Sequence, residues 1–291
     1  MNTFRYDMSG HWLKGNTHIH TTASDGGTEP GEVARMYRSA GYDFLFDTDH
    51  WAPSAWEDTA DPSDLLWLNG IELDGKDETG SYYHVVCLGR LSGITREMGF
   101  MPALEAARRQ GAIIILAHPH WTGNSLEDAL RHDFDGVEIY NHVCRWLNGK
   151  SSGAVHWDAM LRRKPGTLGF ASDDAHLRPE HPGWNGGWII VNAPDRTASA
   201  ITGAIRRGNY YSSRGPEFRT IEFDGTSVHV RTSSVQFVRL VGPGYLGVQL
   251  GSFDDKRITE ATIAVPEDWG YAYLEVEDER GRRAWTNGLF G

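Results

Sequence analysis

The stretch "KGNTHIHTTASDG" (residues 14–26) places His18 and His20 on alternate positions and Asp25 a few residues later. In an extended strand, alternate side chains point to the same face, so the two imidazoles would face the same way. Neighbouring imidazoles repel each other once both are protonated, and a cation bound between them would remove that repulsion. The chain contains 13 histidines, so chance explains the pair equally well when it is taken alone.

Short apolar runs alternate with helical patterns on either side of this stretch, through the first two thirds of the chain. Strand followed by helix, repeated, predicts a parallel sheet with helical crossovers. The run "HVVCLG" (residues 84–89) follows the turn-rich "DGKDETGSYY" and is expected to return antiparallel. After about residue 214 the pattern changes to two-residue alternation with β-branched residues and turn signals, which predicts a small all-β part without helices.

Most of the apolar runs end in side chains that can bind metals. These strand-end residues are His18 and His20, His50, Glu72, His118, and Asp174 with His176. His84 starts its run, which brings it to the same end if that strand is antiparallel. Because the carboxyl ends of barrel strands meet at one face, we expect these side chains to converge. A purely hydrogen-bonded polar rim is the alternative, but it would carry a large desolvation cost.

Six motifs in this order resemble the polymerase and histidinol phosphatase (PHP) superfamily. The motifs are "THIHTTASDG", "DTDH", "GIE", "HVVCLG", "AHP" and "SDDAH". The resemblance implies an α/β fold built on a distorted seven-stranded β/α barrel over residues 1–213, with a cleft for two or three metals. A small β-rich, sandwich-like domain would follow over residues 214–291. The segments "GNYYSSRGPEFRTIEFDG" and "RGRRAWTNGLF" resemble the CehA/McbA-like metallohydrolases within this superfamily.

The PHP resemblance also implies a set of metal ligands. One divalent ion would take His18, His20 and Asp174, and a second would take His84 and His118. Glu72 would bridge these two ions with its two carboxylate oxygens.

A third ion would take His50, His176 and Asp25. Some PHP proteins have a histidine near the position of Asp25, so we expect this third ion to be held more weakly. Histidine and carboxylate ligands suit Zn, Mn or Fe alike.

The leading functional interpretation is a metal-dependent hydrolase that uses a metal-bridged hydroxide on small phosphoesters. Glu72, Asp174 and His50 are the expected catalytic residues, with Asp174 accepting a proton and His50 stabilising the leaving oxygen. Carbamate or carboxyl ester hydrolysis of the CehA/McbA type is the first alternative, and a non-catalytic metal-binding module is the second. Five loop tryptophans, Trp51, Trp56, Trp121, Trp146 and Trp184, could hold an aryl group or pack the rim.

Residues that follow the predicted strands are candidates for substrate contacts. Arg145 and Arg178 could hold an anionic group from loops, and Asn141 and His142 could contact the substrate. Inorganic phosphate is expected to bind as a product analogue. We predict that Glu138 orients a metal-bound imidazole.

Composition argues against several other functions. The formal net charge is −11, and no run of Lys and Arg offers a basic patch, so a nucleic-acid polymer is not the expected partner. No apolar run approaches the roughly 20 residues of a membrane helix. The N-terminus lacks the apolar core of a secretory signal, which predicts a cytoplasmic protein. The chain has no P-loop and no Gly-x-Ser-x-Gly elbow.

Overall fold

The computed structural model describes residues 3–56, 64–254 and 256–291 and has a mixed α/β fold. The strands are β1 (His11–Asn16), β2 (Phe44–Asp47), β3 (Leu66–Lys76), β4 (Tyr82–Leu88), β5 (Ile113–Leu116), β6 (Gly136–Asn141), β7 (Leu168–Ser172), β8 (Trp188–Ala193), β9 (Tyr210–Ser213), β10 (Phe218–Phe223), β11 (Ser227–Val235), β12 (Phe237–Val241), β13 (Gly247–Gly251), β14 (Ile258–Ala264), β15 (Tyr273–Glu277) and β16 (Arg283–Thr286).

The helices connect the strands of the first two thirds of the chain. They are α1 (Pro30–Ser39), α2 (Phe100–Arg109), α3 (Pro119–Thr122), α4 (Leu126–Arg131), α5 (His142–Leu147), α6 (Ala154–Arg163) and α7 (Ala198–Arg207). Local signals explain their ends: Pro30 occupies the first turn of α1, and Gly208 ends α7 in the left-handed conformation. Within the described residues, no helix is long and apolar enough to cross a membrane.

Thirteen strands form one large mixed sheet, in the order β13-β12-β15-β16-β9-β8-β1-β2-β3-β4-β5-β6-β7. Strands β1 to β3 are parallel, as are β5 to β7. Strand β4 pairs antiparallel with both β3 and β5, which confirms the expected return of "HVVCLG". The start of β4 therefore lies at the same end as the carboxyl ends of its neighbours.

The segments that follow β1 and β7 are joined by backbone hydrogen bonds. The amide of Asp174 donates to the His18 carbonyl at 2.9 Å, and the amide of His20 donates to the Ala175 carbonyl at 3.0 Å. Ile19 and Ala175 form an isolated parallel bridge. The first and last of these seven strands thus meet at the end that carries the polar residues.

The strands of this region are buried on both faces. Phe44 and Phe46 belong to one apolar cluster, together with Ile115 of β5 and Phe170 of β7. Leu45, between the two phenylalanines, packs into a different cluster with helix α1. This double burial explains why the strands read as continuous apolar runs rather than as alternating patterns.

In the described part of residues 214–291, the regular secondary structure consists of strands β10 to β16. Strands β10, β11 and β14 form a separate antiparallel sheet. Strand β16 pairs with β9, so the large sheet includes residues from both sides of position 213. One apolar cluster also contains residues from both sides, among them Tyr6, Tyr211 and Leu274. The division at 213/214 stays a prediction.

We expect Leu274→Ala to lower the free energy of unfolding by about 2–5 kcal/mol, because Leu274 is fully buried in this shared cluster. Leu250→Ala removes the same atoms from a side chain on β13 that is 36% exposed, and should cost much less. Denaturant unfolding of both variants measures the difference. Equal losses would contradict a shared core around Leu274.

Candidate metal centre

The strand-end residues converge around Glu72, which is 1% exposed. Glu72 itself lies within β3 rather than at its predicted end, because that strand continues to Lys76. Three imidazoles face one of its carboxylate oxygens. The Nε2 atoms of His18, His20 and His50 lie 3.0, 3.1 and 3.2 Å from Glu72 Oε2. The first two follow β1, and the third follows β2.

Two further imidazoles face the other oxygen of Glu72. His84 Nδ1, from β4, lies 2.8 Å from Oε1, and His118 Nε2, after β5, lies 3.3 Å from it. The antiparallel direction of β4 is what brings His84 to this end. The two oxygens of one carboxylate therefore face separate groups of imidazoles.

Asp174 adds a second buried carboxylate from the end of β7. Its Oδ1 lies 3.3 Å from His18 Nε2 and 3.1 Å from His20 Nε2, and its Oδ2 lies 3.7 Å from His118 Nε2. The preceding Asp173 points away and accepts hydrogen bonds from Asn16 and from backbone amides before β8. The two aspartates are separated as predicted, but not by strand alternation. Both lie beyond the last residue of β7, and Asp174 has a positive φ of 55°.

Asp25 lies beside His176 and His20. Its Oδ2 is 3.3 Å from His176 Nε2, and its Oδ1 is 3.5 Å from His20 Nδ1. The amide of Gly27 donates to the His176 carbonyl at 2.7 Å and holds the loop after β1 against the end of β7. Arg178 is also here, with Nη2 3.4 Å from Asp25 Oδ2.

The structure groups His50 differently from the expectation that it pairs with His176. His50 clusters with Glu72 and His84, whereas His176 clusters with His20 and Asp25. A backbone bridge between His50 and Glu72 keeps the imidazole beside β3.

Backbone conformations at the strand ends help to turn side chains into the site. His118 (φ 24°) and Asp174 (φ 55°) adopt positive φ, as does Trp51 (φ 54°) directly after His50. Such values are uncommon for residues other than glycine and tend to occur at functional sites.

The charges of this cluster depend on one another. Burial by itself would lower the pKa of His20, but hydrogen bonds to Asp174 and Glu72 raise that pKa to about 10. Burial by itself would raise the pKa of Glu72, but His18, His50 and His84 hold it well below its usual range. Buried carboxylates and imidazoles at this density need each other's charge or that of a cation.

The residues present fit divalent cations. Side chains that share one ion at about 2.1 Å place their ligand atoms about 3.0–3.4 Å apart. Four of the five imidazole distances to Glu72 fall in this range, and the fifth, from His84, is 2.8 Å. The Nδ1 atoms of His20 and His50 are buried and lack a hydrogen-bond partner among residues 3–56, 64–254 and 256–291. Imidazole and carboxylate donors suit Zn, Mn and Fe.

Glu138 supports two of these imidazoles from β6. Its Oε1 accepts a hydrogen bond from His18 Nδ1 at 2.8 Å, and its Oε2 accepts one from the backbone amide of His118 at 2.9 Å. Ser172 also donates to Oε1. With Nδ1 engaged, His18 presents Nε2 to Glu72 and Asp174, as expected of a residue that orients a ligand.

Asn141 and His142 are held by protein groups. The buried Asn141 amide donates to Glu138 Oε2 at 2.9 Å and to Asp174 Oδ2 at 3.2 Å, and its oxygen caps helix α5. His142 Nδ1 lies 2.9 Å from the Tyr140 hydroxyl. The Asn141 contacts favour a positioning role over the expected substrate contact.

Arg145 lies within helix α5 rather than in the expected loop, and its side chain is exposed. The Asn141 cap starts that helix immediately after β6, which leaves no loop at this position.

Only some of the loop tryptophans lie at the site. Trp121 stands 5.2 Å from the His118 ring, and Trp51 donates its indole N–H to Asp74. Trp56 instead stacks on Trp67, and Trp184 packs against Tyr37. Trp146 is 61% exposed on helix α5.

Asp74 is a site residue that sequence reasoning missed. It accepts hydrogen bonds from Trp51 Nε1 and the Tyr82 hydroxyl, both at 2.7 Å, and its Oδ1 lies 3.4 Å from His50 Nδ1. Its position two residues after Glu72 in a strand was the available signal, because alternate residues share a face.

Comparisons with known proteins find similarity at the level of the fold. No protein-family model matches the chain, and no curated protein matches it. A solved structure of a two-domain protein from Bacteroides vulgatus, described as containing a predicted PHP-like metal-dependent phosphoesterase, is 15% identical with a TM-score of 0.57. The match covers 99% of this chain and 98% of that one. The two proteins share a fold.

Two further solved structures match less well. A protein from Bifidobacterium adolescentis, described as a candidate metal-dependent phosphoesterase, is 12% identical over 58% of this chain and 91% of that one, with a TM-score of 0.39. An amidohydrolase from Chromobacterium violaceum is 18% identical over 65% of this chain and 63% of that one, with a TM-score of 0.22.

We expect Glu138→Gln to reduce metal affinity about 10- to 100-fold, because the neutral amide is a weaker partner for His18. Titration of the metal-depleted protein with Zn²⁺ or Mn²⁺, followed by calorimetry, gives the affinity. Glu105→Gln makes the same change on the exposed face of helix α2 and should leave the affinity unaltered. Unchanged affinity in Glu138→Gln would contradict the orienting role.

Proposed function

We propose that the chain is a metal-dependent phosphoesterase that hydrolyses small phosphoesters. The observation that carries this proposal is the buried Glu72 carboxylate, whose two oxygens face separate groups of imidazoles. A carboxylate with one oxygen toward each of two cations can hold them close together, as a two-metal hydrolytic centre requires. The fold likeness to a protein described as containing a predicted PHP-like metal-dependent phosphoesterase supports it.

The proposal includes the finer architecture implied by the PHP resemblance. We interpret β1 to β7 as a distorted seven-stranded barrel, supported by their order in the sheet and by the bridge between Ile19 and Ala175. We interpret residues 214–291 as a β-rich, sandwich-like domain, supported by the separate β10-β11-β14 sheet. Membership of the CehA/McbA-like branch belongs to the same proposal.

The ligand assignment follows the observed clusters. One cation would take His18, His20 and Asp174, which form one cluster with Glu72. A second would take His84 and His118, which both face Glu72 Oε1, so that Glu72 is shared between the two cations.

A third, weaker site would use Asp25 and His176 beside His20. We assign His50 to the Glu72 centre, because its Nε2 lies 3.2 Å from Glu72 Oε2. Divalent cations bound there would supply Lewis acidity and lower the pKa of water toward about 7.

Neighbouring residues of the chain orient the imidazoles that would bind the cations. Glu138 holds His18, and the Thr122 hydroxyl lies 3.1 Å from His118 Nδ1, so both imidazoles present Nε2 inward. Asp174 offers an ionised carboxylate, because His18, His20 and His176 hold its pKa below its usual range despite its burial. We propose it as the proton acceptor because of its position beside the Nε2 atoms of His18 and His20. Arg178, beside Asp25, would attract an anionic substrate.

Carbamate or carboxyl ester hydrolysis is the second candidate function. The Trp121 ring beside His84 and His118 favours it, because an aryl ester could pack there. The same centre could serve attack on carbon or on phosphorus. A non-catalytic metal-binding module would show no chelator-sensitive turnover of either ester class.

We expect metal-replete protein to retain two ions after dialysis and to hold a third more weakly. Elemental analysis of the wild type and of Glu72→Gln tests this, and the variant should lose both tight ions and at least about 100-fold in activity. Glu78→Gln, on an exposed turn, is the matched control. One ion or none in the wild type, or near-normal turnover in Glu72→Gln, would contradict the shared centre.

We expect an aryl phosphate to give a higher kcat/KM than the matched aryl carbamate, and inorganic phosphate to inhibit as a product analogue. Phosphate offers several hard oxygens to the cations and to Arg178. Steady-state kinetics on the two substrates decides between the candidates. If the carbamate is preferred by more than about 100-fold, which is about 2.7 kcal/mol of transition-state stabilisation, the second candidate replaces the first.

A further inference from the structure

Two partly exposed aromatic rings, those of Tyr82 and Trp121, lie beside His84 at the candidate metal centre. The Tyr82 ring lies 5.4 Å from the His84 ring at an interplanar angle of 70°, and the Trp121 ring lies 5.8 Å from it at 85°. Tyr82 is 41% exposed. Both rings therefore lie within contact distance of an imidazole that touches Glu72.

Packing of the apolar core does not account for these two rings. Within the described part of the chain, neither ring belongs to the buried apolar clusters or packs against them. Trp56 and Trp184 differ, because both pack against the cluster around helix α1. Exposed aromatic surface next to a polar centre is typical of a ligand-binding surface.

Asp74 fixes the orientation of Tyr82. The Tyr82 hydroxyl donates to Asp74 Oδ2 at 2.7 Å, while Trp51 Nε1 and Arg96 Nη2 donate to Oδ1 at 2.7 and 3.1 Å. The Arg96 guanidinium also lies over the Trp51 ring at 5.0 Å. One carboxylate thus holds three side chains at the rim, and a ring held in advance binds a ligand with a smaller loss of entropy.

Charge at this rim is balanced locally. Asp74 is paired with Arg96, which leaves the Tyr82 and Trp121 rings as the surface offered to a ligand on this side. Cations bound at the Glu72 centre would supply the attraction for an anion on this side. A substrate would therefore present its ester to Glu72 and its neighbours and its apolar group to the rings.

We propose, on the basis of the phosphoesterase function above, that Tyr82 and Trp121 form a subsite for a flat aromatic group of the substrate. Asp74 is a positioning residue of this subsite, since it acts through Tyr82. Aromatic rings at 4.5–7 Å prefer edge-to-face or offset packing with other rings, which a saturated group of similar size cannot reproduce.

The test compares benzyl phosphate with cyclohexylmethyl phosphate on the metal-loaded full chain. Hydrolysis of either ester releases a primary alcohol of similar size, so the two substrates differ mainly in whether the ring is aromatic or saturated. We expect the wild type to prefer benzyl phosphate, and the ratio of kcat/KM values to fall about 3- to 10-fold in Tyr82→Leu and in Trp121→Leu. Tyr245→Leu, on a turn tyrosine that is 97% exposed, should keep the wild-type ratio.

Asp74 needs a separate readout, because it also lies near His50. Asp74→Ala should lower the same ratio, and Asp74→Asn should restore part of it, because the amide oxygen still accepts a hydrogen bond. Any loss of metal affects both substrates alike and cancels in the ratio.

The outcomes separate this inference from the function on which it rests. Turnover of both esters without an aromatic preference, or with a preference that survives in Tyr82→Leu and Trp121→Leu, overturns the subsite and leaves the phosphoesterase standing. Hydrolysis of neither ester by metal-replete wild type overturns the proposed function and the subsite together.

Discussion

The site depends on the burial of the Glu72 carboxylate among five imidazoles. A buried carboxylate without a partner would cost several kcal/mol, and so would a group of buried imidazolium ions. Each charge here stabilises the other, and Asp174 adds a second negative charge beside the same Nε2 atoms of His18 and His20 that face Glu72. The attraction between these buried charges does little more than offset the cost of removing them from water. A role in binding cations therefore explains the cluster better than a role in stabilising the fold.

The sheet makes this convergence possible. The carboxyl ends of the parallel strands β1 to β3 and β5 to β7 lie at the same end of the sheet. The amino end of β4 lies there as well, because β4 is antiparallel to both of its neighbours. The bridge between Ile19 and Ala175 then brings the end of β7 to the end of β1, so that Asp174 reaches His18 and His20. Burial of the apolar side chains of these strands stabilises the fold, so the residues at the strand ends can serve binding and catalysis.

Rigid support around the ligands comes from residues that do not face the centre directly. Glu138 and Asn141 form hydrogen bonds that connect His18, His118 and Asp174. Asp74 does the same at the rim for two aromatic rings and a guanidinium. These groups are buried or half-buried, so removing one leaves its partners unsatisfied, and small changes there propagate to the ligands.

Sequence alone determined the features that depend on local periodicity. The alternate positions of His18 and His20 predicted that the two imidazoles face the same way, and turn signals before His84 predicted the antiparallel strand. The positions of the strand ends relative to one another were decided only by the tertiary structure. His50 lies beside Glu72 rather than His176, and Arg145 lies in helix α5 rather than in a loop. The Asn141 side chain donates hydrogen bonds to Glu138 and Asp174. The physical reason is that a two-residue repeat sets the face to which a side chain points, whereas the distance between two strand ends depends on the order of the strands and the twist of the whole sheet.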